Sequence, residues 1–136
     1  MKYVLDACSL IAYFNGEDGS DKVGKILSDA LSGDSSIFIH RVNLFEVYYD
    51  LLRSGGDEMT KDAMNCFVDS PITVIDIITD ELMKEAARFK LTFKISVADS
   101  FALATAKLEE AMLVTADHHE FDAVEKSDDV DFFWIR

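Results

Sequence analysis

The sequence predicts an α/β fold, a central parallel sheet with helices on both faces, in one domain over residues 1–136. Three observations predict it. Short β-branched apolar runs alternate with longer segments whose apolar residues recur at spacings of three and four, and strands separated by helices pair in parallel. One proline and six glycines are too few for a turn-rich all-β chain and suit helices. A chain of 136 residues makes one ordinary domain that buries roughly two thirds of its unfolded surface and needs no staples.

The elements follow in order. Tyr3-Val4-Leu5 reads as a buried strand that stops at Asp6, and Ser9-Leu10-Ile11-Ala12-Tyr13-Phe14 opens a helix over 9–15. A second helix over 20–32 ends at Gly33, and Ile37-Phe38-Ile39 forms the next strand. Asn43-Leu44-Phe45-Glu46 places a capping residue three positions before an acid, a capping box that predicts a helix over 43–54. Gly55-Gly56 separates it from a helix over 57–68, and Pro71 precedes the strand Thr73-Val74-Ile75. A helix over 79–91 leads to a second box, Ser96-Val97-Ala98-Asp99, and a helix over 97–110. Met112-Leu113-Val114 is the fourth strand. A short helix over 118–125 and a polar loop then precede Phe132-Phe133-Trp134-Ile135.

Charge and cysteine usage narrow the function. Thirteen Lys and Arg face 26 Asp and Glu, a formal net charge of −13 that argues against gripping nucleic acid through the overall field. Any such substrate needs cations, a local basic patch or a partner. Cys8 and Cys66 lack metal-type spacing and suggest no disulfide framework, so a cytoplasmic setting is expected. No stretch spans a membrane. The apolar start is interrupted at Asp6 before it can serve as a signal peptide, so the chain reads as mature from residue 1.

Four acids stand out together. Asp6 follows the first strand, at the edge of an open α/β sheet where ligands bind. Asp117 has the same place after the fourth strand, Glu46 lies in the first turn after the second, and Asp99 opens the helix before the fourth. Asp99 joins the others only if residues 79–94 return the chain to that edge. Each alone is explained as a helix cap or capping-box acid. Clustered, they would repel, with one kept protonated, and no Lys or Arg adjoins any of them in sequence. A hard divalent cation with oxygen ligands, Mg²⁺ or Mn²⁺, resolves that repulsion, and such ions activate water and stabilise charge on a phosphoryl group.

These segments resemble the PIN domain family, and within it the small toxin ribonucleases of bacterial and archaeal toxin–antitoxin pairs. The resemblance rests on Tyr3-Val4-Leu5-Asp6-Ala7-Cys8-Ser9-Leu10-Ile11-Ala12, Asn43-Leu44-Phe45-Glu46-Val47 and Leu113-Val114-Thr115-Ala116-Asp117 followed by Phe121. The most specific match is Lys94-Ile95-Ser96-Val97-Ala98-Asp99-Ser100-Phe101-Ala102-Leu103-Ala104-Thr105-Ala106. It implies a three-layer α/β/α sandwich and metal-dependent endoribonuclease activity that leaves 5′-phosphate and 3′-hydroxyl ends. It also implies an RNA substrate, an antitoxin partner and a homodimer, and carries catalytic and metal-binding roles to Asp6, Glu46, Asp99 and Asp117. The family usually has Ser, Thr or Asn where Cys8 stands; a thiol is a weaker hydrogen-bonding group, and Ser9 can substitute in part. Thr115 matches the family hydroxyl before the fourth acid and can orient that acid or a water.

Other features read more plainly. Cys8 has no sequence partner as a nucleophile. Neighbours such as His118 and His119 point apart on a helix and do not share an ion. His40 reads as a loop residue. Lys84, Arg88, Lys90 and Lys94 form the one dense basic stretch, either a solvated face or a phosphate-contacting arm leading into Asp99. Tyr48, Tyr49, Leu51 and Leu52 suit core packing or a partner groove equally. A catalytically idle PIN-like partner-binding module is the alternative function. A receiver-type phosphoacceptor would need a second acid paired with Asp6, and a haloacid-type phosphatase an acid where Cys8 sits.

Overall fold

The computed structural model describes all residues from Met1 to Arg136. Its strands are β1 (Lys2–Leu5), β2 (Ser36–His40), β3 (Ile72–Ile75), β4 (Met112–Thr115) and β5 (Phe132–Trp134). Its helices are α1 (Ala7–Asn15), α2 (Ser20–Leu31), α3 (Arg41–Val68), α4 (Asp80–Phe93), α5 (Val97–Leu108) and α6 (His118–Ser127). The strands form one wholly parallel sheet in the order β3-β2-β1-β4-β5, with Val4 opposite Phe38 on one side and Leu113 on the other.

Two apolar cores flank the sheet, because side chains along each strand alternate between its faces. Tyr3, Leu5, Ile37, Ile39 and Val114 pack on one face against α1, α2 and the buried side of α3. Val4, Leu113 and Phe132 pack on the other against Leu82 and Phe89 of α4, Leu103 of α5 and Phe121 of α6. This is the expected three-layer α/β/α sandwich with a central parallel sheet. No helix is long and apolar enough to cross a membrane.

Two expectations are corrected at α3: His40 is not a loop residue, and Asn43 is not the helix cap. The helix begins at Arg41, and its cap is His40, whose Nδ1 accepts the Val42 amide at 3.1 Å. Asn43 is therefore inside the helix and buried, with neither amide atom hydrogen-bonded. The expected break at Gly55-Gly56 is present within α3 as a turn at Gly56, whose φ of 77° and ψ of −174° a side-chain-bearing residue would resist. Leu51 is in the core, whereas Tyr48, Tyr49 and Leu52 are exposed.

Candidate active site

The strand order reverses at β1: β2 lies on one side and β4, which follows β2 in the chain only after three helices and a strand, on the other. Strand carboxyl ends at such a reversal frame a crevice. Asp6 leaves β1 there and Asp117 follows β4. Each caps the next helix, Asp6 Oδ1 accepting the Ser9 amide at 2.8 Å and Asp117 Oδ1 the Glu120 amide at 3.2 Å. The capping reading of both acids is thus correct. It leaves each with a second carboxylate oxygen.

One hydroxyl joins the two acids. Thr115 Oγ1 donates to Asp6 Oδ2 and accepts the Asp117 amide at 3.1 Å. Ser9 hydroxyl donates to the Asp6 carbonyl at 3.1 Å. Both hydroxyls and the Asp6 carboxyl are buried. Thr115→Val keeps the volume but strands a carboxylate oxygen and an amide, each costing roughly 1–3 kcal/mol. Melting should fall by several degrees in Thr115→Val and stay near wild type in Thr115→Ser, and thermal melts of the pair check it.

α4 and α5 pack along one another and are joined through residues 94–96, where Lys90 Nζ donates to the Ile95 carbonyl at 2.8 Å. This hairpin returns the chain to the carboxyl edge, the condition for Asp99 to join the group. Ser96 caps α5, its hydroxyl accepting the Asp99 amide at 3.1 Å.

The electrostatics show what the grouping does. Burial pushes Asp6 up to about 7; the Thr115 hydroxyl and Ser9 pull it down, and the charge of Asp99 raises it further. Burial pushes Asp99 up to about 6, with Ser96 opposing and the charges of Glu120, Asp117 and Glu46 adding. Burial also raises Glu46. None of the four forms an ion pair, and no cation lowers Asp6 or Asp99. Glu120 is a fifth acid missed by sequence reading, although Asp117-His118-His119-Glu120 repeats the three-residue cap spacing noted twice elsewhere.

In kind, this all-oxygen, uncompensated donor set fits a hard divalent cation. The grouping is open, because no three His, Cys, Asp or Glu side chains converge closely enough to hold a metal ion.

The remaining candidates separate. Cys8 is half-buried, and burial with the nearby Asp6 charge pushes its thiol up to about 11, so it is protonated and not a nucleophile at neutral pH. His118 is held by Asp122 at 2.8 Å and the Arg136 carbonyl at 3.0 Å and stacks on Trp134, while His119 points to solvent. Arg88 is not a free phosphate contact. It pairs with Glu85 at 2.9 Å and with Asp129 at 3.6 Å, just before β5 and so at the opposite edge of the sheet from the acids. Lys84 and Lys94 are exposed.

The PIN domain family matches residues 3–127. No curated protein matches the chain. Solved structures share the fold. VapBC2 from Rickettsia felis bound to a promoter DNA fragment superposes with a TM-score of 0.75 at 18% identity, covering 98% of both chains. DNA-bound VapBC from Salmonella typhimurium gives 0.73 at 15%, covering 100% of this chain and 99% of that one. VapC20 from Mycobacterium tuberculosis, a sarcin-ricin loop cleaving toxin, gives 0.69 at 17%, covering 90% and 94%. With the family matched over nearly its whole length, the chain belongs to the PIN domain family.

Proposed function

We propose that the protein is a metal-dependent endoribonuclease and the toxin of a toxin–antitoxin pair. The observation that carries this reading is the buried, uncompensated Asp6, tied through Thr115 to Asp117 at the reversal of strand order, with the charge of Asp99 acting on it and that of Glu46 acting on Asp99. The similarity to VapBC complexes and to a sarcin-ricin loop cleaving toxin supports the partner and the substrate class.

Asp6, Asp99 and Asp117 are the catalytic acids that would hold Mg²⁺ or Mn²⁺, with Glu46 completing the set or acting through a bound water. When bound, the cation supplies a nucleophilic water and neutralises charge on the phosphoryl group. Thr115 fixes the carboxyl of Asp6 and the backbone of Asp117. Ser9 secures Asp6 from the α1 side. Cys8 remains a neutral thiol. Lys84 on α4 and Lys94 just beyond it are the cations left to approach an RNA backbone, since Arg88 is paired with Glu85 and Asp129 and Lys90 is held on the Ile95 carbonyl.

The acidic surface and a reducing, cytoplasmic setting suit a basic antitoxin. The exposed stripe of Phe45, Tyr48, Tyr49 and Leu52 on α3 supports a homodimer through that face. A catalytically idle partner-binding module is the second reading, favoured by the open spacing of the acids. Incubating the protein with single-stranded and hairpin RNA in EDTA and in millimolar Mg²⁺ or Mn²⁺ separates the two. Cleavage only with metal, leaving 5′-phosphate ends, is expected. Intact RNA under every condition, from folded protein, sinks the nuclease reading in favour of the idle module.

A further inference from the structure

His40 closes β2 and opens α3, and it is buried at 1% exposure. Its ring is held on both edges and on a face. Nδ1 accepts the Val42 amide at 3.1 Å, and Nε2 lies 3.3 Å from the Ile77 carbonyl in the connection between β3 and α4. An amide only donates and a carbonyl only accepts, so these partners select the neutral tautomer with the proton on Nε2. Burial lowers the ring's hold on a second proton, in keeping with that form. The ring also packs on Phe101, with centroids 5.1 Å apart at 52°. Phe101 stands two residues after Asp99 on α5. One imidazole therefore touches the helix that carries Glu46, the helix that carries Asp99, and the connection that leads into α4.

Capping does not explain this residue. A cap needs only a short oxygen acceptor, and α1, α4, α5 and α6 use Asp6, Thr79, Ser96 and Asp117. The reach to Ile77 and the packing on Phe101 go beyond what starting a helix requires.

We propose that His40 is a positioning residue of the nuclease site, setting the spacing between Glu46 on α3 and Asp99 on α5. The proposal rests on reading those two acids as cation ligands. His40 touches neither acid and acts through the helices that carry them; loss of groups that hydrogen-bond metal ligands directly typically weakens binding by about 10–100-fold, and the lower end of that range is expected here.

The test is a titration of free Mn²⁺, followed by electron paramagnetic resonance, on wild type, His40→Asn and Phe101→Leu, with a circular dichroism melt of each. Asn keeps the capping acceptor but loses the reach to Ile77 and the ring packing. Phe101→Leu keeps both hydrogen bonds and removes only the ring face. We expect His40→Asn to fold, to melt several degrees lower because the Ile77 carbonyl and Phe101 lose their partner, and to bind Mn²⁺ about tenfold more weakly at a temperature where both proteins are fully folded. Phe101→Leu should show a smaller loss in the same direction. Unchanged Mn²⁺ affinity in a folded His40→Asn overturns the proposal and returns His40 to helix capping. If His40→Asn does not fold, unchanged affinity in Phe101→Leu does the same. A folded wild type that binds no Mn²⁺ overturns the ligand reading and this proposal together, an outcome distinct from wild-type binding that the variants retain.

Discussion

Asp99→Asn should lower RNA cleavage by about a thousandfold or more and leave the protein folded. Asn keeps the size of the side chain and the backbone amide that Ser96 caps, so α5 still starts at Val97. What it removes is a negative charge at the point where those of Glu120, Asp117 and Glu46 meet. Metal-assisted stabilisation of phosphoryl charge is worth several kcal/mol, and each 1.36 kcal/mol is tenfold in rate. Single-turnover cleavage of a defined RNA, with circular dichroism to confirm the fold, measures the loss. A variant cutting within about tenfold of wild type has lost less than 1.4 kcal/mol, too little for a residue that helps hold the ion.

The parts of the fold and site that were legible in the sequence are those fixed by local pattern. Five apolar runs gave five strands, since a strand buried on both faces needs an unbroken apolar sequence. Asp6 and Asp117 were placed because a residue just after a parallel strand lies at the sheet's carboxyl edge whatever the tertiary detail. Asp99 was conditional on the path of residues 79–94, which the α4–α5 hairpin supplies. What misled was local pattern overruled from a distance. Asn43 has the composition and spacing of a cap. His40 takes that place three residues earlier because its ring finds Ile77 and Phe101, neither of them near it in sequence. The basic stretch on α4 is real, but Arg88 is claimed by Glu85, a partner three residues away that the sequence does offer, and by Asp129, which only the folded chain brings near. Glu120 was overlooked beside Asp117, although its spacing carried the signal.

Without a divalent metal, the protein should become less stable as pH rises from about 4 to about 7. Asp6 ordinarily ionises near 3.8, and in the folded protein burial pushes it up to about 7. Between those values the folded state holds a proton that the unfolded chain has released, so the free energy of unfolding falls as pH rises. At 1.36 kcal/mol per pH unit, the span for Asp6 alone is on the order of 4 kcal/mol. Asp99, pushed up to about 6, adds a smaller share with the same sign. Self-repulsion at a net charge of −13 acts in the same direction, so the Asp6 contribution must be read as a difference. Asp6→Asn removes that titration and should flatten the pH dependence measured in EDTA. Mn²⁺ should reverse the trend in wild type, because a cation that binds the ionised carboxylates of the folded state competes with their protons. Its stabilisation should be slight at pH 5, large at pH 8, and lost in Asp6→Asn. Thermal melts of both proteins from pH 4 to 8, in EDTA and in millimolar Mn²⁺, resolve the two effects. If wild type and Asp6→Asn show the same slope in EDTA, Asp6 is ionised in the folded protein throughout that range, and the buried proton is not what gives way when metal binds.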